Sequence, residues 1–232
     1  MIEALMLFGS AARGDSDANS DIDMLAVNEH GKPFTRKISN FELQIMQFSD
    51  LFSMAQRGDL FAIHLCLEGK VIVDRRGLFP LIRNSLIIKT SYKTEISWAI
   101  DLAKYLLEFG ASKDLPLVNK RIAWCVRTIA IASLMEQNKP IFSPRLLAQE
   151  FQAPFFSDLI GLRRSTQDDL HRNNKLSSFL EYFNSKPRKK YSESDYYRIF
   201  KETNNAVGYG TFKKLNSTFK KNGLSKSLYP PS

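Results

Sequence analysis

The short apolar run ALMLF at residues 4–8 stops at Gly9-Ser10, and ten residues later Asp21-Ile22-Asp23 opens a second run, IDMLAV at 22–27. Short apolar runs bounded by turn residues read as buried strands. Residues two apart on a strand share a face, so Asp21 and Asp23 are expected to point the same way while Ile22 and Met24 turn toward a core. Two parallel carboxylates repel each other unless a cation lies between them. Oxygen-only donors favour Mg²⁺ or Mn²⁺ over zinc, so the head of the second strand is a candidate metal site.

Gly9 and Ser10 supply the other half of the constellation. A glycine after a strand lets the backbone approach a ligand closely, and SAARGD begins a short helix whose free N–H groups and Ser10 hydroxyl could hold a phosphate. Arg13 either adds charge to that grip or anchors the loop to Asp15 or Asp17. The segment FELQIMQF, 41–48, reads as a third strand, with the intervening NEHGKPFTRK as a turn. Glu42 at its start shares a face with Gln44 and Met46 and is the best-placed third acid. A triphosphate bridged by metals to three carboxylates is the arrangement that in-line nucleotidyl transfer needs.

The period then changes. SDLFSMAQRGDLFAIHLCLEGK reads as two helices, with Ser49 as N-cap, Gly58 as the break and Gly69 as the stop, and VIVD, 71–74, as one more strand. Residues 1–76 are therefore expected to form a small mixed α/β unit. Residues 77–185 carry helical signals throughout and predict an all-α domain. EISWAIDLAKYLLEFG shows helical spacing, NKRIAWCVRTIAIASLMEQNK is a long apolar helix ended by Pro140, and FSPRLLAQEF pairs Ser143 as N-cap with Pro144.

Charge separates a third segment, 186–232. From Lys186 onward there are 11 Lys and Arg against 3 Asp and Glu, whereas the rest of the chain is nearly balanced at 22 against 21. Such a tail is either partly disordered and solvated or attracts an acidic partner. Its cations interleave with Tyr191, Tyr196, Tyr197, Tyr209, Phe212 and Phe219, which suits an RNA-docking arm or an amphipathic helix closing over a cleft. No apolar run is long enough to span a bilayer and the N-terminus lacks signal-peptide features, so a soluble, cytoplasmic protein is expected. Cys66 and Cys125 sit in apolar helical segments and read as reduced core thiols.

The motif set G-S, then R-G, then S-D-I-D-M-L-A-V resembles the signature of the nucleotidyltransferase superfamily typified by DNA polymerase beta. It is closest in kind to its minimal and kanamycin-nucleotidyltransferase-like bacterial branches. There, too, Gly-Ser is followed by a loop of this length and then by Asp-x-Asp on a strand. GDLFAIHLCLEGKVIVD looks like the helix and final strand that follow the third acid in such proteins, so the resemblance spans residues 4–185 and leaves out the tail. It implies an α/β mixed-sheet nucleotidyltransferase fold followed by a helical domain. It further implies that Asp21, Asp23 and Glu42 bind metal, that Gly9 and Ser10 contact nucleotide phosphates, and that Mg²⁺ (or Mn²⁺) supports transfer from an NTP such as ATP to an acceptor hydroxyl. Acceptors compatible with the motifs are tRNA or other RNA, a partner protein and a small molecule.

Two departures from the family bear on activity. Family members usually place a long helix before the Gly-Ser strand, where this chain has eight residues; an upstream start or a shortened, impaired protein would account for it. Glu42 also stands where Asp is commoner. A rival reading is therefore a nucleotide-binding regulator or antitoxin of the same fold. A further rival rests on Arg164 and His171, whose spacing loosely fits the Arg-to-His pattern of HEPN ribonucleases, with Ser165 in place of the expected Asn. His64, on an apolar helical stretch, reads as a satisfied core or boundary histidine. Arg127, alone among apolar neighbours, needs an anion, either nucleotide phosphate or an internal carboxylate. Trp98 and Trp124 read as packing residues.

Overall fold

The computed structural model describes residues 2–18, 20–28, 30, 32–166, 170–185 and 190–216. The chain divides into two compact units between Thr90 and Ser91.

In the first unit the elements run β1 (Ala4–Phe8), α1 (Gly9–Arg13), β2 (Ile22–Asn28), β3 (Phe34–Ile38), β4 (Phe41–Gln47), α2 (Phe48–Gln56), α3 (Leu60–Glu68), β5 (Lys70–Asp74) and α4 (Leu78–Asn84). The five strands form one mixed sheet in the order β3-β4-β2-β1-β5. β2 and β4 run parallel, and the remaining pairs are antiparallel. The stretch expected as a turn before β4 instead contributes β3. Phe34, Arg36 and Ile38 alternate with Thr35 and Lys37, and the real turn is the two-residue Ser39-Asn40, with Ser39 at φ 54°. Its exposed edge position explains why the segment is polar enough to read as a loop.

Alternation sorts the side chains onto two faces. Ala4, Met6, Phe8, Leu25, Val27 and Met46 pack with Leu51 and Ala55 of α2, Ala62, Leu65 and Cys66 of α3, and Leu78, Phe79 and Ile82 of α4. Burying each large apolar side chain contributes about 1.5–3 kcal/mol, which is what holds the three helices on that face. Asp23 precedes Leu25 and Val27 on this face, and both of those are fully buried. Ile22 and Met24 lie on the opposite face and are only half-buried, contrary to the expectation that they point into the core. The carboxylate therefore sits at the end of the core-facing row, where the helical cover stops.

The first unit extends past residue 76 because α4 is built onto it. The Asp74 carboxylate at the end of β5 accepts from the N–H groups of Leu78 and Phe79 at 2.8 and 2.9 Å, starting α4. Arg83 of α4 in turn donates to the carbonyls of Cys66 (3.0 Å) and Gly69 (3.2 Å), satisfying the C-terminal end of α3.

The second unit is helical: α5 (Lys93–Phe109), α6 (Leu115–Met135), α7 (Pro144–Phe151), α8 (Pro154–Gly161), α9 (Arg172–Tyr182), α10 (Glu193–Glu202) and α11 (Ala206–Asn216). α6 begins four residues before the expected start because Asp114 accepts from the Leu117 N–H at 3.0 Å and caps it. Ser143 precedes Pro144 at the start of α7, as expected. Cys66 and Cys125 are both buried free thiols.

The part of the basic tail that is described, residues 190–216, belongs to this helical unit. A capping box between Ser192 and Asp195 opens α10. The rings of Tyr196, Phe200 and Phe212 surround buried Tyr105 of α5 at 5.5, 5.9 and 5.4 Å. Trp98 Nε1 donates to the Thr203 carbonyl, Asn205 Nδ2 donates to the Trp98 carbonyl, and the Gly208 N–H donates to Asn205 Oδ1, each at 2.8 Å. Tyr196 and Phe212, two of the aromatics that the composition offered for stacking on bases, are thus spent on packing α10 and α11 against α5. Phe219 and the final residues lie outside the described residues. Asn205, 1% exposed, bridges both sides of this junction. Replacing it with Ala is expected to cost about 1–3 kcal/mol by stranding the Trp98 carbonyl and the Gly208 N–H, read as a lowered denaturant midpoint.

Candidate active site

The site is built where β1, β2 and β4 end side by side. Asp23 stands opposite Phe8 across the antiparallel β1–β2 pair and opposite Glu42 across the parallel β2–β4 pair. Lys37 of β3 stands opposite Glu42. One cross-sheet row on the core-facing side therefore reads Lys37, Glu42, Asp23, Phe8, and the chain leaves the last of these directly into Gly9. Neighbouring members of such a row are spaced by about 4.8 Å, so Asp23 and Glu42 are held side by side by the register itself. Glu42 is 7% exposed.

Gly9 is at φ +72°, in the left-handed region, and a Cβ built there would lie 2.5 Å from Asp23 Oδ2. Only glycine meets both conditions: it has no penalty at positive φ and leaves the space that the carboxylate occupies. The five-residue α1 follows at once, with Ser10 in its first turn, and the N–H groups of Gly14 and Asp15 both return to the Ser10 carbonyl at 2.9 and 3.1 Å. The loop back to β2 is closed by Ser20, which donates from Oγ to Asp17 Oδ1 and accepts from the Asp17 N–H, both at 2.9 Å.

Asp21 precedes β2 and shares the carboxylate face with Asp23, but its Oδ1 accepts from Lys37 Nζ at 3.0 Å. Lys37 falls outside the residues the sequence points to, because its segment reads as a turn; the alternation from Phe34 to Ile38 is the available signal. Among the described residues no group of three or more His, Cys, Asp or Glu side chains is placed to hold a metal ion. The register brings together Asp23 and Glu42, and the ion pair draws Asp21 toward Lys37. The donor set is nevertheless oxygen-only, with no thiolate or imidazole in the row, which is the chemistry that suits a hard divalent cation.

Arg13, at the end of α1, is engaged on two sides. Its Nε donates to Asp15 at 3.1 and 3.2 Å, and its Nη1 donates to Glu68 Oε2 at 2.7 Å. His64 Nε2 lies 3.0 Å from the same Glu68 oxygen, one turn earlier on α3. The His64 ring also meets Phe8 edge to face at 5.9 Å. Burial acts to raise the Glu68 carboxyl, but the hydrogen bonds and charges of His64 and Arg13 outweigh it and hold the group below the ordinary carboxylate value. Burial likewise opposes the Arg13 charge, and the bonds to Glu68 and Asp15 outweigh it, leaving the guanidinium more basic than usual.

The other residues singled out from the sequence belong to the second unit. Arg127 lies on α6 of the second unit, where its Nη2 donates to the Phe142 carbonyl at 3.3 Å. Arg164 closes a short 3₁₀ turn at Leu162–Arg164 and His171 immediately precedes α9, so the two occupy separate elements; residues 167–169 between them lie outside the described residues. No helix among the described residues is long and apolar enough to cross a membrane.

The lowered Glu68 value has a direct consequence for stability. A group held down in the folded state contributes stability that is complete above its unfolded value, near 4.5, and that is lost as pH falls through the lower folded value. The groups facing Glu68 are Arg13 from α1 and His64 from its own helix. Glu68→Gln is expected to flatten the acid side of the stability profile below about pH 4.5, checked by urea unfolding of both proteins across that range.

Residues 1–77 match the family described as Polymerase beta, Nucleotidyltransferase. Among solved structures, a nucleotidyltransferase-like protein from Exiguobacterium sibiricum 255-15 is similar at 12% identity. That alignment covers 91% of this chain and 71% of that one, with a TM-score of 0.33. No curated protein matches the chain.

Proposed function

We propose, from the match of residues 1–77 to the polymerase beta nucleotidyltransferase family, that the chain moves a nucleoside monophosphate from an NTP to an acceptor hydroxyl. The observation that carries this reading is the placement of Asp23, which lies in register with Glu42 on one side and against the Gly9 backbone on the other. A carboxylate pair for a cation and a glycine turn for a phosphate chain are thereby joined in one place.

In this reading Asp23 and Glu42 would hold Mg²⁺ or Mn²⁺, with Asp21 as a third oxygen donor. The bound ion supplies charge stabilisation at the α-phosphate and a lower pKa for the acceptor hydroxyl. Gly9 allows the backbone to approach the triphosphate without a side chain in the way, and Ser10 offers a hydroxyl and an N–H to its oxygens. The acceptor oxygen forms a bond to the α-phosphorus, the bond from that phosphorus to the bridging oxygen breaks, and pyrophosphate leaves with the electron pair. The acceptor proton passes to solvent or to one of the carboxylates. RNA ends, a hydroxyl side chain of a partner protein and a small molecule all suit this chemistry as acceptors, because fold does not select among them.

A second reading has its own observation. The Asp21–Lys37 ion pair bears on it: in a nucleotide-binding regulator or antitoxin Asp21 stays paired and nucleotide is not turned over.

Incubation with each α-labelled NTP and Mg²⁺, with and without total tRNA and cell lysate, separates the two. Transfer requires label on an RNA, protein or small-molecule product with the native chain and none with Asp21→Ala/Asp23→Ala, which is expected to remain folded. NTP binding without transfer selects the regulator; neither binding nor transfer removes both.

A further inference from the structure

Glu68 is the last residue of α3. A carboxylate there faces the negative end of the helix dipole, a local conflict that a chain tolerates when something else is gained. The offset comes from two groups reaching one oxygen: the Arg13 guanidinium from α1 at 2.7 Å and the His64 imidazole from the preceding turn at 3.0 Å. All three side chains are largely buried, with 12 to 17% exposure, so the charges are little screened by solvent.

The cluster grips the turn after β1 at both ends. At the leading end, His64 packs on Phe8, the residue before Gly9. At the trailing end, Arg13 holds Asp15 and Glu68 at once, while the N–H groups of Gly14 and Asp15 are bonded to the Ser10 carbonyl. A five-residue helix has too few internal hydrogen bonds to persist by itself. Its geometry, including the positive φ of Gly9 against the Asp23 carboxylate, must be imposed from outside, and α3 is the element that does so.

We propose that Arg13, Glu68 and His64 form a positioning brace that fixes the Gly9–Ser10 turn in its nucleotide-ready geometry. These residues act through the turn and need not touch nucleotide. The link to nucleotide rests on the transfer reading above, but the mechanical part does not. The planar fork of arginine is essential to it, since Nε and Nη1 address Asp15 and Glu68 simultaneously, and a lysine ammonium at the same place can address one of them.

The test is amide hydrogen exchange on the full chain, paired with binding of Mg²⁺–NTP, for Glu68→Gln and Arg13→Lys. Both variants are expected to speed exchange at Gly14 and Asp15 by about tenfold or more while β2 and β4 amides keep their native rates. NTP affinity is expected to fall by about tenfold in the same variants, the size of effect that loss of one charge-assisted contact produces. Arg13→Lys serves as the second arm should Glu68→Gln unfold. Unchanged exchange at Gly14 and Asp15 overturns the brace. So does acceleration spread equally over β2 and β4, which marks a general loss of stability, or a loosened turn with unaltered NTP affinity. A native chain that binds no NTP counts against the transfer reading and leaves the exchange rates to decide the brace.

Discussion

The contact between the Asp23 carboxylate and the Gly9 backbone is the point on which the site depends. It exists because β1 and β2 pair so that Phe8 faces Asp23, and because the chain turns immediately afterwards at a residue with no side chain. A register slip of one residue would send Asp23 to the opposite face and Gly9 past it. That register is in turn fixed by the core: Leu25 and Val27 on β2, with Ala4 and Met6 on β1, are buried under α2, α3 and α4 on the same face as Asp23. The hydrophobic effect, which has no interest in chemistry, thereby places a charged group to within one strand spacing of its partner.

Charge balance explains the remaining polar residues around that contact. Asp15, Asp21, Asp23, Glu42 and Glu68 gather near one end of a small sheet, and the structure answers them with Lys37 and Arg13, with the His64 ring beside Glu68. The two kinds of answer differ. Lys37 is half exposed and its pair with Asp21 is weak and exchangeable, suited to release when another cation arrives. The Arg13–Glu68 pair is sheltered, and Arg13 is tied to Asp15 as well, suited to permanence. One cation is therefore built to move and the other to stay.

Much of this was legible in the order of residues. The strand ending at Gly9-Ser10, the ten-residue loop and Asp21-Ile22-Asp23 placed the turn and the acids, and Gly58 and Gly69 marked the breaks around α3, since glycine punctuation and apolar periodicity are local signals. What escaped was non-local. β3 reads as a loop because an edge strand need not be apolar. Lys37 becomes relevant only through its pairing with Glu42. α4 joins the first unit through the Asp74 cap and Arg83, neither of which has a spacing signature. Tyr196 and Phe212 look like members of a base-stacking set until Tyr105 of α5 is seen beneath them. The pattern assigns Ile22 and Met24 to the core, but IDMLAV is apolar on both sides and the helices cover the face of Leu25 and Val27 instead.

The most direct measurement is paramagnetic broadening of backbone amide signals by substoichiometric Mn²⁺, with and without NTP, in the native chain and in Asp23→Ala. If the acids and the glycine turn form one cation and triphosphate site, broadening concentrates at Gly9, Asp21, Asp23 and Glu42, strengthens when NTP is added, and vanishes in Asp23→Ala. Broadening centred elsewhere, or unchanged by NTP and by loss of the Asp23 carboxylate, would contradict the account.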